Sequence, residues 1–121
     1  MSKSSNVDSI LPLKPTDFLV LMVLADSERH GYGIVQDIAE HTRGKIRLVP
    51  GNLYSVLRRL MNLQVIDETP HRPAPDLDDE RRRYYGITAF GKRVLAAEAE
   101  RMRDLVAVAE SRNIIDRTET V

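Results

Sequence analysis

A short segment near the middle of the chain carries polar side chains suited to contacts with an anionic polymer. These side chains combine hydrogen-bonding groups with two adjacent guanidinium groups: Asn52, Tyr54, Ser55, Arg58 and Arg59. Amide, hydroxyl and guanidinium groups read the edges of DNA bases in the major groove and also bind phosphates. A solvated helix face, and for Tyr54 a ring packed on the domain, are the alternative interpretations. The segment therefore indicates a candidate DNA contact surface.

Further basic residues stand before and after this segment. They are Lys45, Arg47, Arg81, Arg82 and Arg83. Because side chains alternate between the two faces of a strand, Arg82 points away from its neighbours, and only part of the run can face DNA. Pairing with the carboxylates of residues 78–80 is the alternative for this run. Tyr32, between two glycines, is a weaker candidate for contact with the DNA backbone.

The sequence offers no arrangement of residues typical of catalysis or of metal binding. It contains no cysteine, which excludes disulfides, iron–sulfur clusters and zinc sites with cysteine ligands. The histidines His30, His41 and His71 lack the spacing of metal ligands, and Ser27 lies in no nucleophile motif. We therefore expect a protein that is not an enzyme and uses no cofactor.

The distribution of charge favours a nucleic-acid partner although the net charge is +0. Residues 43–93 contain eleven basic and six acidic side chains, whereas residues 1–42 contain three basic and six acidic ones. A local basic field steers an anionic polymer, and an uneven solvated surface is the alternative. No apolar run approaches the ~20 residues of a membrane span, and residues 1–15 lack the apolar centre of a signal peptide. We therefore expect a cytoplasmic protein without a membrane partner.

The length of 121 residues fits one domain, and hydrophobic periodicity predicts its elements. The predicted helices cover about residues 17–26, 31–42, 51–63 and 89–112, and the predicted strands cover 46–49, 65–69 and 82–87. Thr16 and Thr88 are expected to cap helices, residues 27–31 to form a turn, and Gly44 to end the second helix. The third helix and the hairpin after it have the order of a winged helix-turn-helix. The predicted fold is therefore mainly α with a small β-hairpin.

These elements divide the chain into a DNA-binding unit and an assembly helix. We predict a disordered tail over residues 1–15, a winged helix-turn-helix over 16–88, a C-terminal dimerisation helix over 89–112 and a tail over 113–121. Apolar residues recur along the last helix at alternating spacings of four and three: Leu95, Ala99, Met102, Val106 and Ala109. This heptad pattern predicts a seam between the helices of two copies.

Three motifs resemble those of the PadR family of bacterial transcriptional regulators. They are His30–Ile34 at the start of the second helix, Pro50–Tyr54 at the start of the third, and Arg83–Gly91 at the end of the wing. The resemblance covers about residues 16–110. It implies a dimeric winged-helix protein, most often a repressor, that responds to phenolic or other small hydrophobic compounds.

The chain departs from the family pattern at Asn52, Ser55 and Ala89, and it has no tryptophan to build a pore of stacked indole rings. The prediction is a homodimer that binds a pseudo-palindromic operator in double-stranded DNA, with a possible effector in the dimer seam. The alternative is a winged-helix protein-interaction module that binds no DNA. A docking face of that kind would show exposed aromatic or leucine side chains and fewer arginines.

Overall fold

The structure is a computed structural model that describes residues 3–70 and 83–117. Its elements follow in the order α1 Lys3–Ile10, α2 Pro15–Asp26, β1 Arg29–His30, α3 Gly31–His41, α4 Pro50–Asn62, β2 Ile66–Thr69, β3 Tyr84–Ile87 and α5 Ala89–Ser111. Most of the described residues are helical, and the strands form one small antiparallel sheet. This confirms the predicted fold class. In the described part of the chain, no helix is long and apolar enough to cross a membrane.

The core of the domain forms where the apolar faces of the helices meet. Nearly every side of α2 is apolar, and it buries Val20, Leu21 and Leu24. The predicted stripes of the next two helices supply further core residues: Ile34, Ile38, Leu53, Leu57 and Leu60. Burying each such side chain stabilises the fold by about 1.5–3 kcal/mol. This inner packing fixes which face of α4 is left to solvent.

The sheet has three strands in the order β1-β3-β2, one more than the predicted hairpin contains. The extra strand, β1, lies in the segment predicted as a turn and pairs Arg29 with Tyr85. The strand predicted over residues 46–49 is wrong. The backbone N–H of Ile46 donates to Thr42 Oγ1 at 3.1 Å instead of to a neighbouring strand. Ile46 and Leu48 still pack against the core. The alternation of apolar residues therefore reflects burial of these side chains, although the backbone pairs with no described strand.

Two of the three predicted helix-end residues, Thr88 and Gly44, have their predicted roles, and the third, Thr16, does not. Thr88 Oγ1 accepts a hydrogen bond from the N–H of Gly91 at 2.9 Å, which confirms Thr88 as the cap of α5. Gly44 has a φ of +78° after α3, the left-handed conformation expected of a residue that ends a helix. Thr16, however, lies inside α2. That helix begins at Pro15, because proline needs no hydrogen-bond partner for its nitrogen in the first turn.

The N-terminal segment corrects the prediction of a disordered tail over residues 1–15. Within it, α1 packs against α5, and Val7 is buried. Apolar side chains up to the start of α2 also pack on the core. The backbone N–H of Leu13 donates to Glu98 Oε2 at 2.8 Å. The prolines and polar residues of this segment suggested a tail. The apolar residues among them instead pack on a surface that forms only when the rest of the chain is folded.

Candidate nucleic-acid interface

The helix α4 has one buried face and one exposed face. The buried face consists of Leu53, Val56, Leu57 and Leu60. Four predicted contact residues lie together on the exposed side: Asn52, Tyr54, Ser55 and Arg58. No aliphatic side chain lies among these four. The exposed side therefore offers an amide, two hydroxyls and a guanidinium group along the first three turns of the helix.

Arg59, the fifth predicted contact residue of this helix, is engaged elsewhere. Its Nε donates to Asp17 Oδ2 at 3.2 Å, and its Nη2 donates to Asp17 Oδ1. The Arg59 side chain is 35% exposed, whereas that of Asp17 is 5% exposed. Because a buried carboxylate needs its hydrogen-bonding partner, Arg59 ties α4 to α2. Of the two adjacent arginines, only Arg58 is both exposed and outside this ion pair.

Tyr32 lies near the polar face of α4, at the start of α3. Its side chain is 65% exposed and that of Tyr54 is 61% exposed, and both border one cavity. The ring of His30 stacks on Tyr32 with a centroid separation of 6.4 Å and meets the edge of Tyr84. His30 Nδ1 accepts from the N–H of Gly33 at 3.1 Å and so caps α3. Sequence reasoning missed this cap, because histidine is not among the residues usually found at the start of a helix.

The remaining basic candidates occupy different places. Lys45 is exposed in the segment between α3 and α4. Arg83 is exposed at the entrance to β3, and its Nη1 lies 3.6 Å from Glu68 Oε2. Arg81 and Arg82 lie outside the described residues, as does the acidic part of the loop before them. The structure thus brings Arg83 close to Tyr32 and Tyr54 at the same cavity.

The predicted dimer seam divides into a buried and an exposed part. Leu95 is buried in the core of its own chain. Farther along α5, Ala99 and Val106 are exposed, and Met102 and Ala109 are half-buried. Leu105 and Val108, which the heptad pattern omitted, are 55% and 47% exposed. The spacing of three between Met102 and Leu105, on the same helix face, could have indicated the wider stripe.

Glu98 is a buried charged residue that sequence reasoning also missed. It is 1% exposed, accepts from Leu13 N–H, and accepts from Arg101 Nε at 2.5 Å. The hydrogen bond from Arg101 lowers the pKa of Glu98, against the opposing effect of burial. The carboxylate therefore stays ionised and holds the N-terminal segment against α5. Its position three residues before an arginine is an ordinary helix pattern, so the sequence gives no sign of burial.

The arrangement of α3, α4 and the β2–β3 hairpin is that of a winged-helix DNA-binding protein, with α4 in the place of the recognition helix. The PadR-like family of transcriptional regulators matches residues 20–97, and the chain belongs to this family. It is therefore a DNA-binding transcriptional regulator. The family membership agrees with the expectation from the three sequence motifs.

Two relatives share part of this sequence. A protein designated X from Lysinibacillus sphaericus is 31% identical over 80 residues, which make up 66% of this chain and 71% of that protein. A 37.1 kDa protein from a transposon of Streptomyces fradiae is 36% identical over 90 residues, or 72% of this chain. The matched part is 23% of the Streptomyces protein, so the chain spans under a quarter of that relative.

Solved structures share the fold. A PadR family transcription regulator from Clostridium difficile has a TM-score of 0.69 at 24% identity, covering 81% of this chain and 97% of that one. A transcriptional regulator from Clostridium thermocellum has a TM-score of 0.66 at 22% identity, covering 92% of this chain and 96% of that one. A Streptococcus transcriptional regulator has a TM-score of 0.66 at 28% identity, covering 80% of this chain and 90% of that one.

Proposed function

We propose that this chain acts as a homodimeric repressor that binds a pseudo-palindromic operator, with α4 of each copy in a major groove. The observation that carries the proposal is the division of α4 into a buried leucine-rich face and an exposed polar face. An α-helix fits the width of the major groove, and its exposed side chains then meet base edges and phosphates. The exposed polar face of α4 is thus the reading surface.

The position of each side chain suggests its role on DNA. Asn52 and Ser55 stand in the first two turns of α4, the part of a recognition helix that meets base edges. Arg58, one turn later, can bind guanine through two hydrogen bonds or pair with a phosphate. Tyr32 and Tyr54 are exposed, and their hydroxyls would donate to phosphates. Lys45 and part of the arginine run at residues 81–83 would add phosphate contacts beside the helix.

The exposed part of α5 supports assembly into a dimer. Met102, Leu105, Val106 and Ala109 follow the spacing of one helix face, and most of this face is uncovered in a single chain. Exposed contiguous apolar surface marks an interface, and the same stripe on two copies can pair about a two-fold axis. Two recognition helices held in one dimer bind more tightly than either alone, because the second contact is intramolecular.

Repression and its release complete the proposal. A dimer seated on an operator excludes RNA polymerase from the same stretch of DNA. A small hydrophobic or phenolic compound that lowers operator affinity would then restore transcription. The likeness to PadR regulators supports both the repression and its release by a small compound. Expression of a reporter gene behind the operator measures the repression and the release. Reporter expression should fall when the protein is produced.

The role of α4 in DNA binding is tested by measuring binding to labelled DNA from upstream of the protein's own gene, at several salt concentrations. We expect Arg58→Ala to weaken binding. The slope of log affinity against log salt should also fall by about one for each phosphate that Arg58 neutralises. Lys92→Ala, which removes an exposed positive charge from α5, is the charge-matched control and should bind like the unaltered protein.

Equal binding by Arg58→Ala and Lys92→Ala at every salt concentration would contradict the role of α4. A selection from random DNA sequences supplies an independent result. Enrichment of a sequence with two-fold symmetry is expected. Failure to enrich any sequence would contradict operator binding and favour a protein-interaction module.

A further inference from the structure

Val49, the residue immediately before α4, carries an apolar side chain that is exposed to solvent. It is 56% exposed, and its backbone is extended, with a φ of −86° and a ψ of 153°. Its carbonyl oxygen accepts from the N–H of Leu53 at 3.0 Å, which closes the first turn of the helix. Val49 is therefore the N-cap of α4, at the boundary between the preceding segment and the helix.

Local stability does not explain a valine at this position. Residues at the N-cap are mostly serine, threonine, aspartate or asparagine, because their side chains accept from N–H groups of the first turn. Valine has no acceptor, and its side chain makes no capping hydrogen bond to α4. In the same place before α3 and α5, His30 and Thr88 each accept from an N–H three residues later. A residue that departs from local preference and is also poorly buried points to a role in function.

Val49 stands beside Asn52, the first polar residue of the reading surface. Because Pro50 and Gly51 are the first two helical residues, Asn52 is the third. Side chains at the N-cap and at the third helical position are neighbours, which is why such a pair can form a capping box. No non-neighbouring atom of the described residues lies within 4 Å of a Cβ added at Gly51. An apolar group and an amide thus lie side by side on an open surface.

These two groups match two features that adenine and thymine present in the major groove. An asparagine amide binds N6 and N7 of adenine, and an apolar side chain contacts the C5-methyl group of thymine. The residues at the N-terminal end of a recognition helix are those that reach base edges. A contact with thymine also accounts for the exposure of Val49 in the free protein, because the methyl group covers the side chain on DNA.

We propose that Val49 contacts the C5-methyl group of a thymine next to the base pair that Asn52 reads. Val49 thereby selects thymine at one position of each operator half-site. This inference rests on the proposed function and adds a base preference to it. Since the contact is apolar, it adds affinity without changing the salt slope, unlike a contact between a basic side chain and a phosphate.

The test replaces each thymine of the DNA sequence enriched by selection, one at a time, with deoxyuridine. This change keeps the base pair and removes only the methyl group. Fluorescence anisotropy measures the affinity of the full chain for each duplex. At one thymine per half-site we expect a loss of about fourfold, the contribution of one buried methyl group. Altering both half-sites should cost about sixteenfold, because distant positions are additive. Val49→Ser should reduce the loss in one half-site to under about twofold.

Two variants and a stability measurement serve as controls. Val49→Ile keeps an apolar side chain and should keep the loss caused by deoxyuridine. Leu63→Ser removes a 36% exposed side chain at the other end of α4 and should leave the effect of every deoxyuridine unchanged. Because serine can cap α4, Val49→Ser should raise Tm by a few degrees while it loses the preference for thymine. A valine with only a structural role would give the opposite pair of results.

Two results would overturn the contact with thymine. One is an enriched sequence whose half-sites contain no thymine. The other is an effect of deoxyuridine that is the same in the unaltered protein and in Val49→Ser at every position. In both cases the protein still binds its operator, so only the base contact fails. If the unaltered protein binds no DNA, the proposed function fails, and the contact with thymine fails with it.

Discussion

Asp17 and Arg59 join α2, the first helix of the winged-helix unit, to α4, the proposed recognition helix. The carboxylate of Asp17 accepts from both Nε and Nη2 of Arg59, and the Asp17 side chain is 5% exposed. The pair crosses the interface between the two helices at the edge of the leucine core. It therefore adds a polar link to the apolar packing that leaves Asn52, Ser55 and Arg58 on the exposed side of α4.

We expect Arg59→Met to lower the free energy of unfolding by about 2 kcal/mol, because it leaves the Asp17 carboxylate buried without its partner. This figure is below the usual cost for a fully buried pair, since Arg59 is partly exposed. Arg58→Met is the matched control and should change stability by under about 0.5 kcal/mol. Urea denaturation measures both. Equal stability losses in the two variants would contradict the structural role of Arg59.

DNA binding should separate the same two variants. At a temperature where both are folded, Arg58→Met should lose operator affinity and show a smaller salt slope. Arg59→Met should keep the salt slope, because its guanidinium group faces Asp17 instead of a phosphate. Competition binding at three salt concentrations measures the salt slope of each variant. A salt slope reduced equally in both variants would show that Arg59 leaves Asp17 to contact DNA.

Glu98 predicts a specific dependence of stability on pH. Its pKa is lowered in the folded chain by the hydrogen bond from Arg101. The stabilisation is therefore fully present above the pKa of the unfolded chain, about 4.3, and is lost as pH falls towards the folded-state pKa. Unfolding of the unaltered protein should become easier below about pH 4.3, and Glu98→Gln should lack this contribution. Exposed Glu100→Gln is the control and should keep the full acid dependence.

Gly91 is closely packed against the segment between α4 and β2 and against β3. A Cβ added there would lie 2.0 Å from the carbonyl oxygen of Val65 and 2.8 Å from Ile87 Cγ1. Gly91→Ala should therefore destabilise the protein by about 1–3 kcal/mol. Gly51→Ala, with no atom within 4 Å of the added carbon, should be neutral or stabilising by up to about 1 kcal/mol. Comparable thermal shifts for the two variants would be inconsistent with this packing.

The exposed stripe of α5 predicts a monomeric variant that stays folded. Leu105 and Val106 are about half exposed in a single chain, so replacing both with aspartate should leave the domain intact and separate the dimer. Operator binding should fall although no residue of the reading surface has changed. Leu95→Asp is the contrast: it places a charge in the core and should unfold the chain. Light scattering and circular dichroism together measure both outcomes.

The mass of the unaltered protein in solution must be measured beside that of the double aspartate variant. It should run as a dimer at micromolar concentration, and the double aspartate variant should run at half that mass. A folded unaltered protein that is monomeric at this concentration would contradict the proposed seam. A dimeric double variant would show that copies pair through a different surface.

Features that depend on nearby residues could be predicted from the sequence alone. The spacing of the leucines in α4, alternately four and three, predicted its buried face. The residues left over on the other side of the helix then gave its polar face. Thr88 signalled the start of α5 because its hydroxyl reaches an N–H only three residues away. Gly44 marked the end of α3 because its positive φ suits a residue without a side chain. Such interactions close within one or two turns, so local spacing is enough to reveal them.

Packing between distant segments, in contrast, determines which of two similar residues stays exposed at the surface. Arg58 and Arg59 are adjacent and chemically identical, and Asp17, 42 positions away, removes one of them from the surface. Leu95 and Val106 belong to one heptad pattern, but the chain's own core covers the first and leaves the second uncovered. Spacing along a helix sets which residues share a face. What covers that face depends on segments far apart in sequence, so it is known only once the chain is folded.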